Sequence, residues 1–239
     1  MIDIHAHIIP GVDDGPRSLD GSLEIARKLV ETDVTDVIAT PHYVHETNYV
    51  SPRVNNLRLL AELRQFLASN GVKINLYLGN EIYIDRNIIG LLKAKKISTL
   101  AGSDYLLVEL PLDQEFPDYQ DILGELVSQG YKVILAHPER YIIVQDNYDV
   151  LLELHEMGVL FQCNLRSILG RYGGGAKKMA QRLAKDRLIF TFGSDIHHGG
   201  NNNDLALAQK KLRKYYSEHE LTRVLVTNPG SILRASKNR

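Results

Sequence analysis

Cysteine is nearly absent: one residue, Cys163, in a chain of 239. That excludes an internal disulfide and any thiolate-rich zinc site. Leu169 stands six positions after it, where a cysteine-dependent phosphatase loop requires arginine. A phosphocysteine route is therefore not expected, and Cys163 reads as strand packing. Long apolar runs are missing as well. No segment approaches the roughly 18 uninterrupted apolar residues of a membrane span, and the first residues show no basic or apolar leader pattern. Excess charge of one sign is missing too. A net charge of −1 gives little attraction to nucleic-acid phosphates or to an anionic membrane surface. The expectation is a soluble, cytoplasmic protein without nucleic-acid partner or membrane insertion.

What is present begins at the first residues. Ile2, Ile4, Ala6 and Ile8 alternate with Asp3, His5 and His7, the period of a strand. Residues i and i+2 share a face, so His5 and His7 present two imidazoles together at a strand end, and Asp3 shares their parity. A turn-rich loop with Asp13 and Asp14 follows, then a helix capped by Ser18 or Asp20. After that the chain alternates short apolar runs with amphipathic helical stretches. The runs are 35–40, 74–78, 105–110, 132–136, 159–163 and 188–192. Gly173–Gly175 reads as a flexible loop before a basic helix from Ala176. Asn201–Asp204 reads as the cap of a last long helix to Tyr216, and 221–239 as an extended piece, a helical turn and a charged tail.

About seven strand–helix repeats without a linker predict one α/β domain over residues 1–239, with a parallel sheet covered by helices. The runs are apolar on both faces, as in strands buried on both sides. The polar residues choose between an open sheet and a barrel. His7, His42, Glu81, Glu109, His137, Asn164 and Asp195 each stand at or just past the end of a successive run. A closed β/α barrel gathers all those ends on one rim, whereas an open sheet spreads them along a line too wide for one site.

The candidate rim set is His5, His7, Asp14, His42, Glu81, Glu109, His137, Asp195 and His197. Imidazole mixed with carboxylate suits Mn, Fe, Zn or Co. Nine such residues exceed the needs of one ion, so two or three divalent ions are implied, with a carboxylate such as Glu81 bridging. Two metals a few ångströms apart activate a bridging hydroxide and clamp a phosphoryl group for in-line attack. Arg140, three residues past His137, suits a bidentate phosphate clamp. A phenolate leaving group, with a pKa of roughly 10, makes little demand on a general acid; His42 and His197 are the candidates. His155, His198 and His219 read as packing or surface residues, and His45 as a loop residue able to touch substrate.

The segments MIDIHAHIIPGVDDGP, TPH to His42, GNE to Glu81, VEL around Glu109, AHPER from His137 and GSDIH to His197 resemble the PHP (polymerase and histidinol phosphatase) superfamily. More closely they resemble the CpsB/YwqE-type bacterial protein tyrosine phosphatases of capsule and exopolysaccharide synthesis. The resemblance implies a distorted (β/α)7 barrel, a cluster of up to three ions that is commonly manganese, and a phosphotyrosine protein substrate that is a tyrosine autokinase. It also implies a division of the ligands: His5, His7, Glu81 and Asp195 on one ion, Glu81, Glu109 and His137 on a second, and Asp14, His42 and His197 on a third. The loops 43–56 and 171–176 depart from the family pattern, which bears on substrate contacts. Two other readings share the scaffold: a small-molecule phosphatase such as one for histidinol phosphate, and an inactive metal-bound regulator.

Overall fold

The computed structural model describes residues 1–114, 117–199 and 203–237. Nine strands run β1 (Ile2–Ala6), β2 (Asp36–Ala39), β3 (His42–Tyr43), β4 (Asn75–Leu78), β5 (Glu81–Tyr83), β6 (Tyr105–Glu109), β7 (Lys132–Ala136), β8 (Leu160–Asn164) and β9 (Ile189–Gly193). All pair in parallel, in one sheet of order β1-β2-β4 and another of order β3-β5-β6-β7-β8-β9. β3 resumes β2 after Thr40-Pro41, and β5 resumes β4 after Gly79-Asn80, so the nine segments make seven staves. Proline cannot donate to a ladder. Gly79 is required where it stands, because a Cβ would lie 2.7 Å from Leu100 Cδ2. Past the end of β9 the chain returns to β1: Asp195 N donates to His5 O at 2.9 Å and His7 N to Ile196 O at 3.0 Å. The predicted parallel α/β architecture and its ring of strand ends are found, distorted by these breaks.

The helices are α1 (Leu19–Val30), α2 (Arg53–Ser69), α3 (Ile88–Lys93), α4 (Tyr119–Ser128), α5 (Ile142–Asp146), α6 (Asp149–Glu156), α7 (Gly173–Lys185), α8 (Asp204–Leu212), α9 (Glu218–Thr222) and α10 (Asn228–Lys237). Ser18 caps α1 by accepting from Gly21 N. The large core packs Val37, Leu106, Val108, Val133 and Leu135 of the strands on Ile25, Leu60, Leu63 and Leu123 of the helices. A smaller core gathers the opposite parity, including Ile4, Ile38, Leu107 and Ile134, with Ile232 from α10.

Three local expectations fail. Gly173–Gly175 is the first turn of α7, entered through Gly173 at a left-handed φ of 93° and held by Ala176, Met179 and Ala180, which anchor the next turns in the core. α8 ends at Leu212, short of Tyr216; Asn203 is its N-cap without a side-chain bond, while Asn201 and Asn202 lie outside the described residues. The extended piece after 221 is helical throughout: α9, a π-helical turn at Arg223–Thr227 and α10. Pro229 falls just after the π-helical turn, at the start of α10.

Candidate metal centre

The strand ends carry the nine rim residues into one cluster. Glu81 Oε2 is its hub, with His5 Nε2 at 3.1 Å, His7 Nε2 at 3.2 Å and His42 Nδ1 at 3.1 Å. Glu81 Oε1 lies 3.0 Å from His137 Nε2, which is 3.5 Å from Glu109. Asp195 Oδ1 stands 3.4 Å from His5 Nε2 and 3.7 Å from His197 Nδ1, and Asp14 Oδ1 3.3 Å from His197 Nε2. The donor atoms fall into three close groups: His5, His7 and Glu81; His42, Glu81 and Glu109; His7, Asp14, His42 and His197. His7 and His42 thus straddle groups, where the family pattern assigns each to one ion.

Backbone strain delivers two of these side chains. His137 and Asp195 adopt left-handed φ of 32° and 50°, a conformation that costs a non-glycine residue on the order of 1–3 kcal/mol. At His137 it ends β7 and turns the imidazole onto Glu81.

A relay fixes the imidazole tautomers. The Asp195 carboxylate can only accept, so Asn164 Nδ2 donates to it at 2.7 Å, leaving Asn164 Oδ1 to accept from Gln162 Nε2 at 2.9 Å. Gln162 Oε1 then accepts from His5 Nδ1 at 2.7 Å. His7 Nδ1 donates in the same way to Asp13 Oδ2 at 2.8 Å. Both imidazoles therefore aim a lone pair of Nε2 inward, and the two atoms lie 3.2 Å apart. Two donors on one ion at about 2.1 Å, at right angles, stand about 3 Å apart. Glu81 Oε2 and His42 Nδ1 are buried without an aligned hydrogen-bond partner despite their proximity. Converging lone pairs of this kind fit a shared divalent cation. Gln162 and Asp13 escape sequence reasoning as orienting groups. The parity of Gln162 with Asn164, already on the rim, is the signal that points to it. Asp3 does not orient an imidazole; its Oδ1 accepts from the backbone N–H of His5 and of Ser194, pinning β1 to the end of β9.

Electrostatics sort the same residues. Burial alone would discharge His5, yet the Glu81 and Asp195 carboxylates hold it up to about 9. Burial, then the Glu81 charge, pushes Glu109 up to about 9. The hydrogen bond from His197 lowers Asp14 to about 2. Asp195 is likewise held low, the neighbouring histidines outweighing its burial. Burial discharges His42. Without an ion the cluster thus stores protons that metal binding displaces.

Arg140 stands at the edge. Its Nη1 donates to Asp195 Oδ2 at 3.2 Å and its guanidinium lies 4.5 Å over the Tyr172 ring. Tyr49 stacks on His42 with centroids 5.9 Å apart. A cavity of about 560 Å³ opens beside Asp14, Arg17, Tyr49, His197 and His198. His45 lies 3.4 Å from Asp85 and joins none of the donor groups, His155 packs near Phe161, and His219 sits in α9. Cys163 is fully buried, its thiol pushed up by burial and by Glu139.

Comparison with known proteins adds to this geometry. The family model described as capsular polysaccharide synthesis, CpsB/CapC, matches residues 1–234. CapC of Staphylococcus aureus is 36% identical over 230 residues, covering 92% of this chain and 87% of its own. The tyrosine-protein phosphatase YwqE of Bacillus subtilis is 32% identical over 205 residues, covering 85% and 80%. A crystal structure from work on YwqE and on Streptococcus pneumoniae CpsB, described as metal-dependent tyrosine phosphatases, superposes with a TM-score of 0.87. It is 30% identical and covers 98% of this chain and 95% of its own.

Proposed function

The chain belongs to the CpsB/CapC family of capsular polysaccharide synthesis, and on that premise we propose that it is a metal-dependent tyrosine-protein phosphatase. One domain over residues 1–239 carries the activity. The observation behind the reading is the convergence of His5, His7 and His42 on one buried oxygen of Glu81, with no aligned donor among them. His5, His7, Asp14, His42, Glu81, Glu109, His137, Asp195 and His197 would hold two or three divalent ions, with manganese the first choice. Bound there, such ions supply Lewis-acid activation of water and neutralisation of phosphoryl charge.

The protein groups do the rest. Asp195 orients Arg140 and leaves its other N–H groups for phosphoryl oxygens. The ester's aromatic ring enters the cleft at Tyr49, where the exposed Asp14 and Tyr49 leave room for a protein segment. The departing phenolate needs little help from a general acid; of the two candidates, His197 suits the role better than His42, which burial discharges. The family's link to capsule synthesis supports a tyrosine autokinase as substrate. The test is phosphate release by metal-stripped protein from a phosphotyrosyl peptide, titrated with Mn²⁺, with histidinol phosphate in parallel. Mn²⁺-dependent release confined to the peptide is expected. Preference for histidinol phosphate would make this a metabolic phosphatase, and bound metal without release from either would leave a docking regulator.

A further inference from the structure

A second cavity of about 480 Å³ lies away from the nine-residue cluster, between α2 and the segment that follows α3. It occupies the gap in the ring of staves where β4, an edge strand, pairs with β2 alone. Arg53, Arg64 and Lys95 line it with Tyr77, Tyr131 and aliphatic side chains. The three cations have no carboxylate at ion-pair distance among the described residues. Three like charges around one concavity make its potential positive, which favours an anion there. Ser98, also on the wall, is only 5% exposed and its Oγ has no hydrogen-bond partner. Lys95 takes a left-handed φ of 53° where glycine or asparagine would rest unstrained. That turn closes the C-terminus of α3, with Lys95 N donating to Leu92 O and Lys96 N to Leu91 O, and it leaves the lysine on this wall.

We propose that this cavity is a ligand site for a small organic phosphate. Three uncompensated cations suit a dianion better than a single carboxylate, and the two tyrosine rings with the aliphatic wall suit an apolar or ring-shaped body. An added peptide strand fits less well, because the Arg64 guanidinium already takes the β4 carbonyl of Leu76. The wall also reaches the rim: Ser98 N donates to Asn80 Oδ1, and Asn80 Nδ2 to Pro41 O, beside Glu81 and His42. The probe is anilinonaphthalene sulfonate, an aryl anion without a hydrolysable ester, titrated by fluorescence into the metal-loaded full chain. Saturable binding is expected, with an affinity at least tenfold lower in the R53Q/K95Q protein and unchanged in R140Q. Inorganic phosphate should displace the probe, and KCl of equal ionic strength should not. Phosphotyrosyl-peptide hydrolysis reports that the double variant is folded; if it is not, K95Q alone should weaken binding about threefold. Equal affinity in wild type and cation variants, no saturable binding, or displacement by KCl as effective as by phosphate would overturn the assignment.

Discussion

The two halves of the centre differ in their contact with water. His5, His7 and Glu81 are fully buried, and His137 and Asp195 are nearly so, at 1% and 4% exposure. Across the hub, the side chains of Asp14, His42 and His197 are 48%, 15% and 23% exposed. The inner half is braced by the Gln162–Asn164 relay and the strand ladders; the outer half rests on the loop that carries Asp14, on the two-residue strand β3 and on the turn after β9. A cation in the inner half faces little competition from water and is held by oriented lone pairs. One in the outer half shares its ligands with solvent and with substrate. On the proposed function, an ion in the inner half would be the permanent one and an ion in the outer half the exchangeable, substrate-facing one.

Variants can break or sharpen that contrast. Glu81→Gln removes the charge that the imidazoles share, so hydrolysis of a phosphotyrosyl peptide should fall on the order of 1000-fold, about 4 kcal/mol. Excess Mn²⁺ should not restore it; activity within tenfold of wild type would show that Glu81 is no hub. His197→Asn removes an outer-half ligand, one whose ring also stacks on His7 with centroids 3.9 Å apart. The expected loss is on the order of 100-fold at limiting Mn²⁺, largely regained when Mn²⁺ is raised, as activity measured across a metal series would show. Gln162→Leu breaks the relay while sparing every ligand, and metal affinity measured by competition with a chelator should weaken about tenfold.

The smallest effect is on the stability of stripped protein. His5, held up to about 9, stabilises the fold fully below its ordinary value of 6.5 and loses that contribution as pH rises through 9. Glu109, also raised to about 9, binds its proton in the folded state above 4.5 and pulls in the same direction. The Tm of chelated protein should therefore decline between pH 6.5 and 9, and that of the metal-loaded protein should change less. A Tm of chelated protein that rises over this window would contradict the stored protons.

The sequence carries more about the inner half than about its support. Period-2 alternation marked β1, and polar residues at the ends of apolar runs named the rim because strand ends in a parallel ring must converge. Of the two breaks that split staves in half, the one at Pro41 follows from proline itself, while the one at Gly79 depends on Leu100 arriving from a distant segment. The left-handed turns at His137 and Asp195 go against local preference and exist only because tertiary packing holds them. Gln162 looks like any strand residue until its neighbours fix its amide. Pro229-Gly230 hides the helix after 221, because the dipeptide reads as a breaker in isolation but here sits just past a π-helical turn within a continuous helical run.

Calorimetric titration of stripped protein with Mn²⁺, with peptide hydrolysis followed in the same samples, tests the division most directly. Two classes of site are predicted: a tight class that fills without full activity, and a weaker one whose filling brings the activity and which His197→Asn shifts to higher Mn²⁺ concentration. A single class, filled in step with activity and unchanged in His197→Asn, would contradict it.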